Sequence, residues 1–330
     1  MADVLTPNIE TKSEISYINP VFDSYFADPF ACRFGPFFYA VGTGGAITDD
    51  NRVFQLLRSE NLVDWTSLGL ALIKPEGFED GCYWAPEISE IDGTYYMVYS
   101  VGQGDKNHQI RVAAAPSPEG PYRDQGRLTD PQIPFAIDPH IYLHTDGHSY
   151  LYYATDFLDG DRPGTSLVVD RMISATQLAG QPVVVARATS DWQRYQSNRP
   201  IYGQTLDWHT LEGPSVVRRE GKIYVFYSGG NWQNETYGVD FVSADHPLGQ
   251  YTNTTQDRPR VLRTIPGKIE GPGHNSIVLG PDNQTLVAVY HAWNPDRSAR
   301  LMRIDPIQWT PDGPVIDGPS LSQRSIFRHG

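Results

Sequence analysis

Short runs of aromatic and β-branched residues recur along this chain, and turn residues separate them. Five such runs are Phe37–Val41, Thr94–Tyr99, Tyr150–Ala154, Lys222–Tyr227 and Leu286–Tyr290. Almost no segment keeps the 3.6-residue period of an amphipathic helix. Pairs such as Asp92-Gly93 and Glu220-Gly221 precede most of the runs, and such pairs tolerate the positive φ of a two-residue hairpin loop. The pattern predicts an all-β protein in which each run is the second strand of a hairpin.

Further apolar segments follow each run and predict a third and a fourth strand. The third strands are expected at Val53–Leu57, Ile110–Ala114, Tyr237–Val242 and Leu301–Ile304, and the fourth at Asp64–Thr66, Gly120–Tyr122, Gly249–Tyr251 and Ile307–Trp309. Four strands in each of five units predict a five-bladed β-propeller, with a pair of β-sandwiches and a right-handed β-helix as the competing folds. No linker or change of composition divides the chain. We therefore expect one domain over residues 1–330, with about residues 1–18 as an N-terminal extension.

An ionisable side chain stands at the opening of each predicted unit, beside proline, glycine or asparagine. These residues are Asp28, Glu87, Asp138, Glu212 and His274, at intervals of 59, 51, 74 and 62 residues. In a propeller the innermost strands surround a central channel, so groups at one register of every unit would meet in one pocket. The sequence therefore predicts that the five groups converge.

Asp28, Asp138 and Glu212 are the candidate catalytic groups within this set. Buried carboxylates that lie close together shift one another's pKa values, which lets one stay protonated while another stays ionised. Hydrolysis of a glycosidic bond requires such a pair. Each segment has an ordinary structural interpretation as well, because Asp-Pro and Glu-Gly-Pro are common turn sequences and a lone histidine is usually a core residue.

Composition narrows the function classes. The net charge of −13 argues against nucleic acid or an anionic membrane as partner. No run approaches the roughly 20 apolar residues of a membrane span, and the first residues do not read as a secretory signal. Cys32 and Cys82 are too few for a disulfide framework. We expect a cytoplasmic protein, or a secreted one if a leader has been removed.

The ordered set of segments resembles glycoside hydrolase family 43, the arabinofuranosidase, xylosidase and arabinanase group. The matching segments are Ala27-Asp28-Pro29, Tyr83-Trp84-Ala85-Pro86-Glu87, Ala136-Ile137-Asp138-Pro139, Leu211-Glu212-Gly213-Pro214, Gly271–Ser276, Tyr290–Trp293 and Arg300–Trp309. The resemblance covers nearly the whole chain. It implies a five-bladed propeller and an inverting glycosidase.

The resemblance also implies a role for each candidate. Asp28 would be the general base that activates water, Glu212 the general acid, and Asp138 the third carboxylate that raises the pKa of the acid and orients it. Arg300 would lie near the sugar of the innermost subsite, with Arg303 as the alternative. Trp84, Glu87 and His274 would complete the substrate-binding set.

No cofactor is expected for the chemistry itself. The resemblance places His274 near a site that holds calcium in many relatives, so a structural calcium ion is the metal to test. Calcium prefers oxygen ligands, and the sequence alone cannot establish such a site from one histidine.

The predicted substrate is an oligosaccharide or polysaccharide that contains pentose, such as a fragment of arabinan or arabinoxylan. We expect an exo-acting α-L-arabinofuranosidase, with β-D-xylosidase activity as a second activity of the same site. Endo-arabinanase and β-xylosidase are the alternatives within the family. Retaining hydrolysis or phosphorolysis of fructosides on the same scaffold, and a non-catalytic carbohydrate-binding propeller, are the alternatives outside it.

Overall fold

The computed structural model describes residues 12–45, 47–254 and 256–329, and β-strands account for nearly all of the regular structure there. The only helical segment in these ranges is one 3-10 turn at Asp191–Gln193. The strands are β1 (Lys12–Tyr17), β2 (Ala27–Phe34), β3 (Phe37–Thr43), β4 (Arg52–Ser59), β5 (Thr66–Ile73), β6 (Cys82–Ile91), β7 (Thr94–Gln103), β8 (Lys106–Ala115), β9 (Tyr122–Arg127), β10 (Ala136–Leu143), β11 (Ser149–Phe157), β12 (Gly164–Ser174), β13 (Gln177–Leu178), β14 (Val183–Ala186), β15 (Arg194–Ile201), β16 (Gln204–Arg219), β17 (Lys222–Gly229), β18 (Gly238–Ala244), β19 (Glu270–Leu279), β20 (Leu286–Trp293), β21 (Arg300–Thr310), β22 (Gly313–Ile316) and β23 (Arg324–His329). Nothing in the described ranges is a helix long and apolar enough to cross a membrane.

Most of the strands form five successive antiparallel meanders. They are β2–β5, β6–β9, β10–β12 with β13 and β14 on the outer strand, β16–β18 with β15 beside β16, and β19–β22. Short parallel pairings join β5 to β9 and β12 to β16. The two chain ends also meet, because β1 pairs with β23 from Lys12↔His329 to Tyr17↔Arg324.

Five apolar clusters lie between the meanders, and each cluster draws on two of them. Tyr39 and Tyr99 belong to the cluster between the first and second meanders, and the next clusters lie between the second and third, the third and fourth, and the fourth and fifth. The last cluster returns to the start, because it combines Phe26 and Phe38 with Val287 and Met302. The burial of apolar side chains between neighbours therefore runs in a closed cycle, which is what stabilises the arrangement of sheets.

The first strand of every meander carries the same irregularity, near its start in four of them and midway along β16. A β-bulge interrupts the pairing with the second strand. One residue at each bulge has a left-handed backbone: Asp28 (φ 49°), Ala85 (φ 44°), Asp138 (φ 57°), Gly213 (φ 58°) and His274 (φ 48°). Such bulges re-aim a side chain out of the pleat. We call these five positions the bulge residues.

Most of the predicted strands are confirmed. The five aromatic runs lie in β3, β7, β11, β17 and β20. In the Asp92-Gly93 and Glu220-Gly221 loops both residues have positive φ, as a two-residue hairpin requires. The predicted all-β class is correct, and the number of blades stays a prediction.

Several predicted fourth strands were wrong. Ile307–Trp309 continues β21, so the fourth strand of that meander is β22. Gly249–Tyr251 forms no strand, and only an isolated bridge between Ser243 and Thr252 lies nearby. Asp64 belongs to a turn in which Asn61 accepts two backbone N–H groups, and β5 starts only at Thr66. Polar side chains that bind backbone N–H groups, Asn61 before Asp64 and His246 before Gly249, form turns at the other two places.

The predicted N-terminal extension over about residues 1–18 falls partly outside the described residues, which begin at Lys12. The part that is described forms strand β1. Cys32 and Cys82 are free thiols, and both are half-buried.

Candidate active site

Three of the five bulge residues carry ionisable side chains that meet at one end of the meanders. The Nδ1 atom of His274 lies 3.4 Å from the Asp28 carboxylate and 4.0 Å from that of Asp138. One donor atom each from Asp138, Glu212 and His274 lies within 4.8 Å of the others. The predicted convergence of Asp28, Asp138, Glu212 and His274 is therefore present in the structure.

The backbone N–H of each bulge residue is bound by a side chain, usually from the second strand of the preceding meander. Ala85 donates to Thr43, Asp138 to Ser100 and His274 to Ser228, at 2.7–2.9 Å. Asp28 donates to Nδ1 of His291 at 3.0 Å, which links the first meander to the fifth. These contacts hold the left-handed residues in place, because each satisfies a buried donor that the bulge removes from the ladder.

Asp28 is the carboxylate that stays ionised. It is buried, and Nη1 of Arg300 lies 3.2 Å from Oδ1. Burial opposes ionisation, but the positive charge of Arg300 and the rings of His274 and His291 hold the pKa of Asp28 below its ordinary value. A carboxylate that remains charged at low pH can accept a proton from water.

Glu212 has the opposite environment. It is one residue before the bulge residue Gly213, and Tyr237 donates a hydrogen bond of 2.6 Å to its Oε1. Burial raises the pKa of Glu212 to about 7, with the charge of Asp28 adding to the increase and the Tyr237 hydroxyl opposing it. Because Oε1 accepts the hydrogen bond from the Tyr237 hydroxyl, the proton of the neutral carboxyl group lies on Oε2. This is the state that a general acid requires.

The Asp138 carboxylate accepts a backbone hydrogen bond that the carboxylates of Asp28 and Glu212 lack. Its Oδ2 accepts the N–H of Gly213 at 3.0 Å, one residue from the acid. Burial and the neighbouring charges of Glu212 and Asp28 raise the pKa of Asp138 well above its ordinary value, and the Gly213 N–H only partly offsets this. Asp138 and Glu212 titrate as a pair, so the repulsion between them belongs to both carboxyls.

Two glutamates do not occupy the register of the other groups, so the prediction of one common register was wrong. Glu212 precedes its bulge residue by one position, and Glu87 follows Ala85 by two. Glu87 therefore lies deeper in the channel, where its carboxylate is 2.8 Å from Nδ1 of His140. That imidazole accepts the Val216 N–H at its other nitrogen. The structure places Glu87 as a brace between meanders, and its predicted contact with substrate has no support from this geometry.

Arg300 lies at the site and Arg303 does not. The Arg300 side chain is 7% exposed and bonds to the Tyr25 hydroxyl as well as to Asp28. Its guanidinium lies 4.5 Å from the centroid of the Trp232 ring, with Trp293 close by. Arg303 instead reaches the Ser320 carbonyl, near Tyr290 and Asp305. The preference for Arg300 over Arg303 therefore agrees with the geometry.

Trp84 is half-buried and its ring stacks on His108, with the centroids 3.6 Å apart. It comes directly before the bulge residue Ala85, so it lies at the same end of the fold as the carboxylates. His108 is buried, and burial lowers its pKa to about 4. The sugar contact itself remains a prediction.

Four contributors were not identified as site residues from the sequence. They are His291 and Tyr237, which hold Asp28 and Glu212, together with Tyr25 and Trp232 around Arg300. His291 is fully buried, and its ring is stacked nearly parallel to that of Tyr237. The Tyr290–Trp293 segment was part of the recognised resemblance, and its histidine was a signal that could have been used. Tyr237, Tyr25 and Trp232 come together from distant segments and had no local signal.

The expected calcium ion would bind in the channel below the site, so the lining and volume of that channel are compared with what the ion needs. It is lined by the bulge residues, Glu87, Asn275 and Ser276, and has a volume of about 10 Å³, roughly the room of one water molecule. Both amide atoms of Asn275 are buried there without a hydrogen-bond partner among the described residues. An amide oxygen, the His274 ring and nearby carboxylates fit a small ion or a water molecule.

A second group of possible metal ligands lies elsewhere in the described ranges, at His144, Asp146 and His246. Here His246 Nδ1 accepts the Leu248 N–H, and its Nε2 faces Asp146 at 3.2 Å. The Nε2 atom therefore carries the ring proton and donates it to the carboxylate. Hydrogen bonding accounts for this cluster without a metal.

The family model described as Glycosyl hydrolases family 43 matches residues 17–315 of the chain. A β-D-galactofuranosidase of Aspergillus niger is 26% identical over 311 residues, which is 89% of this chain and 82% of that protein. An extracellular exo-α-(1→5)-L-arabinofuranosidase of Streptomyces avermitilis is 27% identical over 74% of this chain. The match spans only 53% of that protein's own length.

Solved structures agree with the same relationship. A thermostable family-43 glycoside hydrolase superposes with a TM-score of 0.77 at 29% identity, covering 93% of this chain and 97% of the other. An α-L-arabinofuranosidase from Lactobacillus brevis has a TM-score of 0.72 over 91% of this chain and 95% of its own, at 21% identity. The second similarity supports the fold alone.

Proposed function

Because the chain belongs to glycoside hydrolase family 43 and is therefore a glycoside hydrolase, we propose that it is an exo-acting α-L-arabinofuranosidase. A weaker β-D-xylosidase activity would use the same site. The observation that carries the proposal is the unequal surroundings of two carboxyl groups: Arg300 lies against Asp28 and holds its pKa low, whereas burial raises the pKa of Glu212 to about 7. That division is what hydrolysis with inversion requires.

In the proposed reaction, Asp28 accepts a proton from the water molecule as its oxygen attacks the anomeric carbon. The bond from that carbon to the glycosidic oxygen breaks, and Glu212 gives its Oε2 proton to the departing oxygen. Asp138 holds the Gly213 N–H and so fixes the backbone next to Glu212. Arg300 keeps Asp28 charged and, with Tyr25 and Trp232, supplies donors and an aromatic wall for the sugar.

A screen of chromogenic glycosides tests the substrate. We expect the highest kcat/KM on an aryl α-L-arabinofuranoside, a lower value on the β-D-xyloside, and release of single arabinose units from linear arabinan. Proton NMR of the first product should show inversion at the anomeric carbon. Retention would contradict the mechanism, and unchanged hydrolysis in both Asp28→Ala and Glu212→Ala would overturn the assignment of the catalytic residues. Oligosaccharide release from the interior of arabinan would favour the endo-arabinanase alternative.

β-D-Galactofuranosidase activity is a second candidate. The protein of Aspergillus niger that bears this name matches 89% of the chain. Galactofuranose and arabinofuranose present the same ring configuration and differ in the substituent beyond the ring. An aryl β-D-galactofuranoside therefore belongs in the screen, and a higher kcat/KM on it than on the arabinofuranoside would replace the first candidate.

We also propose that each of the five meanders is one propeller blade. The closed cycle of apolar clusters and the hydrogen bond from Asp28 to His291 support this count. A structural calcium ion in the channel would be held by His274 and the Asn275 amide, and would stabilise the junction of blades without entering the reaction. Chelation should then lower the melting temperature more than it lowers the activity of enzyme that is still folded.

A further inference from the structure

A second cavity opens beside the hairpin formed by β15 and β16. Its volume is about 620 Å³, which is in the range of ligand pockets. The hairpin tip provides Arg199 and Tyr202, the turn between β7 and β8 provides Asp105, and the third meander provides Phe135 and Asp156. We call this cavity the outer cleft.

The wall of the outer cleft is preformed. Arg199 pairs with Asp105 at 3.2 Å across the gap between meanders, and its guanidinium lies over the Tyr195 ring at 5.0 Å. The Tyr202 hydroxyl donates to Asp156 at 2.8 Å. Tyr202 has positive φ, as does Gly203 beside it, so the two-residue turn projects the aromatic side chain sideways. Contacts at both edges hold the hairpin in one position over its neighbours.

Two features of the structure place the outer cleft at the same end of the fold as the carboxylates. On one side, Trp84 stacks on His108, and the His108 ring lies 5.7 Å from that of Phe135, which lines the cleft. On the other side is Asp156, which accepts the Tyr202 hydroxyl at 2.8 Å. Asp156 follows Thr155, and Thr155 pairs opposite Ala136, two residues before Asp138. Strand β16 begins at the cleft with Gln204 and also carries Glu212, so the outer cleft opens on the meander that supplies the acid.

The lining favours a neutral polyhydroxyl ligand. Arginine and lysine donors alternate with carboxylate acceptors, and the pairing of Arg199 with Asp105 leaves little net charge to attract an ion. Tyr202 is 42% exposed and offers a flat apolar face. Paired donors and acceptors with an adjacent aromatic ring suit a sugar, whose hydroxyls need both and whose C–H face packs on an aromatic surface.

We propose that the outer cleft binds the sugar unit on the leaving-group side of the scissile bond. The inference rests on the function proposed above, because the side is assigned by Glu212, which protonates the leaving oxygen. An exo-acting enzyme with this cleft favours oligosaccharides, whose leaving group is a sugar, over substrates with a small leaving group. Tyr202 and Arg199 are then the residues that determine this preference.

The test compares an arabino-oligosaccharide of three units with an aryl arabinofuranoside. In Tyr202→Ala, the ratio of kcat/KM on the trisaccharide to that on the aryl substrate should fall about tenfold, because an aromatic contact with one sugar unit is lost. Phe327→Ala is the matched control, since Phe327 is an aromatic residue of similar exposure, 43%, on β23. Its ratio should equal that of the wild type. An unchanged ratio in Tyr202→Ala overturns the inference.

A binding measurement separates this inference from the proposed function. Calorimetry with the trisaccharide on the Glu212→Gln chain should give a Kd about tenfold higher when Tyr202→Ala is added. If the wild type hydrolyses no arabinofuranoside, the proposed function fails while this binding result still decides the outer cleft. Equal Kd values in the two chains would overturn the inference even if hydrolysis is normal.

Discussion

The junction between the third and fourth meanders differs from the other four junctions of the structure. At those four, a Thr, Ser or His on the second strand accepts the N–H of the next bulge residue. The corresponding second-strand position of the third meander is Ala154, paired opposite Ile137 as Ser100 is paired opposite Trp84. Ala154 has no acceptor, and the Gly213 N–H goes to the Asp138 carboxylate instead.

The exception lies where the chemistry is. At three of the ordinary junctions a hydroxyl group that only supports the fold satisfies the N–H, and at the fourth it is His291, which also lies 3.5 Å from the Asp28 carboxylate. At the exceptional junction the same structural requirement orients a carboxylate and fixes the backbone beside Glu212. Gly213 is also the one glycine among the bulge residues, because a Cβ there would lie 3.1 Å from the His274 ring at a φ of +58°. A missing side-chain oxygen and a missing Cβ thus make room for the catalytic cluster.

The largest effect should come from removing the proton donor at this junction. Glu212→Gln keeps the size of the side chain and a carbonyl oxygen for the Tyr237 hydroxyl, but it cannot give up a proton to the leaving oxygen. We expect kcat on a substrate with a sugar leaving group to fall by about 10²–10⁴, with little change in melting temperature. Steady-state kinetics and calorimetry check both. A fall of less than fivefold would remove Glu212 from the role of acid.

The comparison between the junctions is tested by placing a side-chain oxygen at position 154, where the other junctions have an acceptor. In Ala154→Ser, the new hydroxyl should compete for the Gly213 N–H and release Asp138, so we expect kcat to fall about tenfold while KM changes less. Ala154→Cys is the control, because its side chain is close in size but a weak acceptor. Equal kinetics in the two variants would mean that volume, and not the hydrogen bond, matters at this position.

The reverse change at an ordinary junction should affect stability more than rate. Ser228→Ala leaves the His274 N–H, which is buried, without its acceptor, and this costs about 1–3 kcal/mol of the free energy of unfolding. Denaturant titration measures it, and kcat should stay within a few fold of the wild type. A tenfold loss of kcat without loss of stability would show that ordinary junctions also carry chemistry.

A feature of the fold or of the site could be predicted from the sequence where its signal lies within a short stretch of residues. Alternating aromatic runs and Asp-Gly turns predicted the strands, and the spaced acidic segments predicted the carboxylates. The bulge register was also accessible, because proline follows Asp28, Ala85, Asp138 and Gly213, and alignment on it would have separated Glu87 and Glu212 from the rest. The junction at Ala154 was not accessible, because its meaning depends on a hydrogen bond between residues 75 positions apart.

The smallest effect should come from Tyr237, which acts on the acid without taking part in the proton transfer. Its hydroxyl bond opposes the burial that raises the pKa of Glu212 to about 7. Activity requires protonated Glu212 and ionised Asp28, so kcat/KM should fall above about pH 7, and its acid limb should lie below the usual range of an aspartate because the pKa of Asp28 is lowered. Tyr237→Phe removes a contribution that favours the ionised form. The alkaline limb should therefore move to higher pH by roughly one unit, with the acid limb fixed. A uniform loss of rate at every pH, with both limbs in place, would mean that Tyr237 only shapes the pocket.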